Sequence, residues 1–567
     1  MSGRAPGLVR RALAAILVLC PVGSAGCAAF SHMSGSSADL RALSHDAPRS
    51  AELGQARFLF DDFGTLDTHN LETYAMPWKL YTTALLMVEA PRLGLPIERS
   101  SLRPVLEQFG FLFPDSIGNW DQRAGPPPSF SGPVGLTRAT IDGWLPWLRL
   151  EVRNTGCATC HGGRLYDARG FPTRTAWLGL PNTWIDLDGY SAATFEGLKL
   201  GMRDQQAFLK TMERLYPEAS WGERYVTRHS LIPRLKRGLK SIVAERDRAL
   251  VFDNGGPGLA NGVASLKFQL AIISQRDYAP QEMAIASIPD LSDRALRSSL
   301  LYDGTYMVRG DDRFRPLARE EAGPERMERF ADITSFFTIT TAGNDAETAE
   351  RMIPRMREVM RSLASYLAPP FPGTIDDSLA ARGGEVFDSR CSQCHGRYAS
   401  GSTRPRLALY PNKLVAEQRI GTDPLRWTSV DDSVLRWQAH HPSHPFVRHI
   451  ETARTGGYVP PILTGIWATA PYLHNGSVPT LWALMHPDDR PARFEVGGHR
   501  LDYARMGIAL EPDSGGVWRY PTGYVQQSHP RIYDTSRLGR GNRGHEFPFR
   551  AMSEGEKKAV LEYLKTL

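Results

Sequence analysis

The chain has 567 residues, 42% hydrophobic and 23% charged. This is an ordinary globular composition, too long for one compact core, and it predicts two to four domains. The formal net charge of +6 falls by three when Arg4, Arg10 and Arg11 near the N-terminus are set aside, and no Lys/Arg-rich run is present, which excludes nucleic-acid binding as a reading.

The N-terminus reads as an export signal. Arg10 and Arg11 precede an apolar stretch at 12–22, and the small residues Gly23, Ser24, Ala25 and Gly26 follow. The stretch is too short to span a bilayer and suits a signal peptide over residues 1–26. Cys27 follows Ala25-Gly26 as the lipidated cysteine of a bacterial lipoprotein does, although Ser24 stands where leucine is usual. Two outcomes stay open: a lipid anchor on Cys27 holding the protein to the outer membrane, or cleavage near Ala28 or Ala29 releasing a periplasmic or secreted protein. Residues 27–50, rich in Ser, Ala and Gly, read as a flexible tether.

Beyond the tether, apolar segments fill residues 51–150. Leu231, Leu235, Leu239 and Val243 carry helical periodicity. Met352, Met356, Val359, Met360, Leu363 and Leu367 predict a second helix. It should start near Pro354, because proline is tolerated only in a first turn. The Pro-Pro-Phe-Pro-Gly cluster at 369–373 is a linker candidate. Residues 375–390 read as a helix. Near the C-terminus a capping box, Ser553 with Glu556, opens a helix with Val560, Leu561, Leu564 and Leu567 on one face.

Of the six cysteines, Cys20 and Cys27 belong to the signal region. The other four form two C-x-x-C pairs, each followed at once by histidine: Cys157, Cys160, His161 and Cys391, Cys394, His395. Disulfides or a four-cysteine zinc site are the plain alternatives. Neither needs a histidine at that place, and His is only 15 of 567 residues. Two thiols at this spacing share one face of a helical turn and can add to the two vinyl groups on one edge of a haem. The next residue then lies under the iron as its axial ligand. The motifs therefore predict two covalently bound haem c groups, which are attached outside the cytoplasm. Their roughly four propionates would bring the exported chain close to neutral.

The expected fold is mainly α with extensive loops and a few short strands, in two cytochrome-c-like haem domains. Residues 51–370 form an N-terminal haem c domain with extra helices. Residues 371–567 form a C-terminal haem c domain, in which the helices at 375–390 and the C-terminus pack beside the haem.

The sixth iron ligand decides between electron transfer and chemistry. Between the motifs the one histidine is His229; His32, His45 and His69 precede the first motif. Met202, Met212, Met283, Met307, Met327, Met352, Met356 and Met360 also lie between the motifs, and core packing is the plainer reading for them. The C-terminal part is rich in candidates, from His440 to His545.

The run from Trp467 through Ala-Thr-Ala-Pro-Tyr-Leu-His474-Asn-Gly-Ser-Val-Pro479 resembles a segment of bacterial dihaem cytochrome c peroxidases, and more closely one of the dihaem rubber oxygenases. The stretches at 178–186, 541–547 and 562–567 resemble the rubber oxygenases too; the likeness covers roughly 105–190 and 375–567. It implies that the haem on His161 is the reactive one and takes oxygen or peroxide in place of a protein ligand. It implies that the haem on His395 has His545 as second ligand, with His474 in its environment. Phe268 is a candidate for the family's distal pocket, and Trp177 and Trp184 for electron transfer between haems, with core packing the rival reading for each. The chain departs from the peroxidases in two places. Met485 and His486 stand at a different offset from the usual methionine ligand, and no histidine closely follows the first motif.

Three functions follow from this reading. The first is a haem oxidoreductase that activates oxygen and cleaves an unsaturated, apolar small or polymeric hydrocarbon such as polyisoprene. The second is a peroxidase-like enzyme taking electrons from a donor cytochrome. The third is a plain periplasmic electron carrier.

Overall fold

A computed structural model describes residues 50–567 except 62, 65–75, 123–129, 131, 143–148, 246–251, 274–281 and 400–403. The signal peptide, the tether before Ser50, Cys27 and His69 lie outside the described residues. Helix accounts for 43% and strand for 15%, so helices dominate, but the strands outnumber the expected few. They are short and form small sheets of two to four strands, as in Leu136–Asp142 paired with Arg149–Thr155. No described helix is long and apolar enough to cross a membrane.

Among the described residues three large hydrophobic cores and two small clusters organise the fold. The first gathers the helices Trp78–Arg92, Leu187–Arg203, Gln205–Leu215 and Ile232–Glu245 around Leu86, Leu198, Phe208 and Leu235. Leu231, Leu235 and Leu239 face this core as their spacing predicts, but Val243 is exposed and Ile242 takes the inward place. The cause is helical pitch: at 3.6 residues per turn a third step of four overshoots the stripe, and a step of three returns to it.

The second core packs Ser50–Phe60 against Ile353–Leu363 through Leu59, Met356, Val359 and Met360. Pro354 sits in the first turn of the latter helix, where it breaks no helical hydrogen bond. Leu367 lies past the helix end and is exposed.

The third core holds the helices Asp377–Arg390 and Glu554–Thr566. Asp376 caps the first by accepting from the Leu379 amide at 2.9 Å. The second opens on the expected capping box: Ser553 Oγ accepts from the Glu556 amide at 3.2 Å, and the Glu556 carboxylate accepts from the Ser553 amide at 2.7 Å. The helices meet at Gly383, where an added Cβ would stand 1.9 Å from the Ala559 carbonyl oxygen. Gly383→Ala is expected to force them apart and cost about 1–3 kcal/mol, read as a lower urea midpoint.

Strands pair across the expected boundary at 370/371. Leu317–Ala318 pairs with Arg406–Tyr410, and Tyr306–Val308 pairs with Ile450–Thr452. The third core mixes Tyr166, Leu180, Trp184 and Leu296 with Phe387 and Trp467. The Pro/Gly cluster at 369–373 is not a free linker. The Pro369 carbonyl accepts from Trp467 Nε1 at 3.1 Å, and Phe371 packs edge-on against the Trp467 ring. Prolines stop a helix; they do not prevent the following segment from packing.

Candidate haem site

The first motif is a single helical turn, Cys157–His161, between the strands Arg149–Thr155 and Gly162–Tyr166. It is pressed onto Gly135, whose positive φ of 82° suits glycine and whose Cβ would stand 1.9 Å from the Thr159 nitrogen. The second motif continues from the helix Asp377–Arg390 into the turn Ser392–His395. His395 Nδ1 lies 2.9 Å from the Pro461 carbonyl oxygen. That acceptor assigns the proton to Nδ1 and leaves Nε2 available to a metal.

All four described cysteines are free thiols, and no described group of three or more His, Cys, Asp or Glu could hold a metal ion. The disulfide and zinc readings therefore have no support among the described residues. Burial pushes the thiols of Cys157 and Cys391 up to about 12 and that of Cys160 to about 11. Burial also lowers His161 to about 4, helped by the Arg294 charge and opposed by the Pro289 carbonyl.

Both motifs open into one continuous cavity of about 1080 Å³ with a mostly apolar wall. That exceeds the roughly 300–1,000 Å³ of an ordinary single-ligand pocket. His545 lies in the same cavity. Its ring centre is 5.9 Å from that of His395, at an interplanar angle of 68°. Two imidazoles sharing one metal through bonds of roughly 2 Å hold their ring centres about 6 Å apart. The pair is thus spaced to take one iron between its rings. His545 has a positive φ of 54° and is pinned in place: its amide donates to the Ile420 carbonyl at 2.7 Å, and the Arg490 guanidinium donates to the Gly544 carbonyl at 3.0 Å. A strained backbone held by its surroundings is a common mark of functional positions.

His474 is placed differently. Its Nε2 lies 3.1 Å from the Tyr458 hydroxyl, and the two rings stack at 4.3 Å. The Tyr458 hydroxyl donates to the Asp423 carbonyl, so His474 Nε2 is the donor to Tyr458 and is not presented to a metal. Phe268 is on the cavity wall, carried by the helix Gly262–Gln269. Trp177 and Trp184 are not on that wall. Trp177 Nε1 donates to the Leu367 carbonyl at 2.9 Å, and Trp184 is buried against Tyr166 and His499. His229 is exposed on the outer surface and packs tilted against Tyr225, off the cavity wall. Met327, Met356 and Met360 reach the wall, while Met202 and Met212 serve the first core and Met283 the third.

Sequence reasoning missed three wall arginines: Arg294, Arg297 and Arg426. Arg297 and Arg426 are 2% and 3% exposed. The guanidinium of Arg294 donates to the Asp290 carbonyl; that of Arg297 donates to the Ser299 and Leu301 carbonyls and the Tyr410 hydroxyl. Neither has a carboxylate within ion-pair distance among the described residues. Arg426 Nε is buried with no hydrogen-bond acceptor, and the Asp303 carboxylate is 3.8 Å away. Arg294 and Arg297 thus put positive charge on the cavity wall without a paired carboxylate among the described residues, which is costly. A haem brings propionates that would neutralise them, so the wall fits that group; Arg426 already pairs with the buried Asp303. The three residues are scattered along the chain and match no motif, and only folding gathers them.

Burial sets a pH dependence. His474 and His499 are each held at about 3 by burial, His474 with help from the Arg426 charge. Each ring stays neutral in the folded chain down to that pH, but takes a proton near 6.5 once unfolded. Stability is therefore expected to fall as pH drops below about 6.5, by about 1.4 kcal/mol per pH unit for each histidine. Urea midpoints at neutral and mildly acid pH check this, and His499→Phe should flatten the slope.

Residues 457–495, which include Tyr458, Pro461 and His474, match the family described as RoxA-like, cytochrome c-like. The uncharacterized protein y4iJ of Sinorhizobium fredii (strain NBRC 101917 / NGR234) is 26% identical over 582 aligned residues, covering 87% of this chain and 89% of its own. The uncharacterized protein y4iM of the same organism is 32% identical over 208 residues, covering 31% of this chain and 44% of its own. Residues 457–495 thus carry a RoxA-like, cytochrome c-like segment, and a domain of that kind implies covalently attached haem c.

Proposed function

We propose that this protein is an exported dihaem c-type oxidoreductase that activates oxygen at its N-terminal haem and cleaves an unsaturated hydrocarbon of the polyisoprene kind. Cys157 and Cys160 would hold the first haem, with His161 as its axial ligand. Cys391 and Cys394 would hold the second, between His395 and His545. The observation that carries the reading is the single apolar cavity joining the two motifs, with an imidazole pair at one end. Among the described residues no second imidazole pairs with His161 in that way, which favours an open iron site on that side.

Haem bound there supplies the redox chemistry of its iron. The chain's own residues supply the surroundings. Leu266, Phe268, Phe337 and Ile339 line the cavity, exclude water and suit an alkene, which offers no hydrogen bond. Arg294 and Arg297 would orient the propionates. The Pro461 carbonyl would fix the His395 ring and raise its basicity as a ligand. Histidine at both His395 and His545 would suit an oxygenase that inserts both oxygen atoms, since that reaction has no net electron demand.

The test combines haem stoichiometry, EPR and product analysis. Two haems per chain are expected, one low-spin and one responsive to carbon monoxide. Carbonyl-ended products should form from polyisoprene and oxygen without added reductant. Turnover only with peroxide and a reduced donor cytochrome would replace this reading with the peroxidase-like one. Two low-spin, unresponsive haems would leave only electron transfer.

A further inference from the structure

The outer face of the first core carries a feature that the haem cavity does not use. The helices Trp221–Val226 and Ile232–Glu245 are joined through the widened turn Thr227–Leu231. Together they make one rod of about 37 Å, at 1.5 Å per residue. Leu231, Ile232, Leu235, Leu239 and Ile242 bury its inner face. The outer face begins with an aromatic ladder. Trp221 is 67% and Tyr225 48% exposed, their rings stack with centres 5.4 Å apart, and the His229 ring lies tilted against Tyr225 at 4.7 Å. None of these rings lines the haem cavity.

The rest of the outer face is cationic. Between 221 and 245 stand Arg224, Arg228, Arg234, Lys236, Arg237 and Lys240 against two acids, Glu223 and the terminal Glu245. Glu223 is turned inward and paired with Lys79 at 2.7 Å. Arg224 is used locally, donating to the Ala219 and Pro217 carbonyls, and Arg228 reaches Glu213 at 3.5 Å. Lys236, Arg237 and Lys240 are exposed and have no ion-pair partner among the described residues. The cations are too spread in sequence to form a run, and the helix brings them to one side.

Exposed Trp and Tyr rings suit an interface that is apolar on one side and wet on the other. Aromatic rings beside lysines and arginines on one helix face match the surface of a lipid bilayer, with the rings at headgroup depth and the cations on anionic lipid. We propose that this rod docks the protein flat on an anionic phospholipid bilayer. The reading stands apart from the haem chemistry, and its failure would leave that proposal untouched.

The test uses the full chain carrying Cys27→Ser, so that an acyl group cannot supply the attachment. The protein is sedimented with vesicles of phosphatidylglycerol and phosphatidylcholine, or of phosphatidylcholine alone. Partition onto the anionic vesicles is expected, falling at least roughly tenfold on neutral vesicles or in about 0.5 M salt. The triple variant K236E/R237E/K240E should lose about a hundredfold. W221A/Y225A should also weaken binding through lost apolar contact. An unchanged haem spectrum establishes that each variant is folded. Equal partition onto neutral and anionic vesicles, undiminished binding by the triple variant, or binding to polyisoprene particles alone would each overturn the proposal.

Discussion

His545→Ala is expected to abolish the low-spin signal of the second haem while leaving two haems covalently attached. The geometry makes this a sharp expectation. The His395 and His545 ring centres are 5.9 Å apart across the cavity, and burial with the neighbouring His395 and Arg490 holds His545 neutral, at about 3. An unprotonated ring facing a metal is ready to bind it. Its removal leaves His395 as the one axial ligand and opens a site for carbon monoxide. Added imidazole should restore the low-spin spectrum, because it refills the vacated position without the chain. His545→Met should stay low-spin and raise the potential, since thioether ligation favours ferrous iron. If His545→Ala kept its low-spin signal without imidazole, another residue would be the ligand and the assignment would fall.

The second large effect concerns Lys267, one residue before Phe268. Its side chain is 2% exposed, and Nζ is 2.6 Å from Glu282, itself 7% exposed, and 3.1 Å from the half-exposed Asp431. Lys267→Met leaves the Glu282 charge buried and unpaired. The expected cost is about 3–5 kcal/mol, the usual penalty for breaking a buried pair from one side. Lys267→Met combined with Glu282→Leu should recover most of that loss, because removing both charges also removes their desolvation cost. Urea unfolding of the two variants reads the difference. Equal losses would mean that the lysine matters for packing and not for charge. The same clamp fixes the helix Gly262–Gln269, so the single variant should also disturb the cavity wall at Phe268.

Much of this protein is legible in its sequence. Two C-x-x-C-His motifs point to their chemistry locally, because two thiols and an imidazole must fit one helical turn. Helix ends are local as well: Ser553 with Glu556 marks one start, and Pro354 marks another. Periodicity found the inner faces of the helices, within the one-residue drift that exchanged Val243 for Ile242. All of these signals span only a few residues, and backbone geometry fixes what such neighbours can do.

The tertiary structure decided what depends on distant parts of the chain meeting. A cut after the Pro/Gly cluster at 369–373 is a sensible boundary from composition, yet strands from both sides pair across it and Phe371 packs on Trp467. Trp177 and Trp184 have suitable chemistry for a path between haems, but folding keeps both off the cavity wall. The opposition of His545 to His395 depends on a left-handed residue pinned by Ile420 and Arg490. The cavity-wall guanidiniums of Arg294, Arg297 and Arg426 carry no motif, and only folding gathers them around one cavity. Local spacing reports covalent chemistry, whereas desolvation and long-range packing, which no short stretch of sequence records, determine how the attached groups are surrounded.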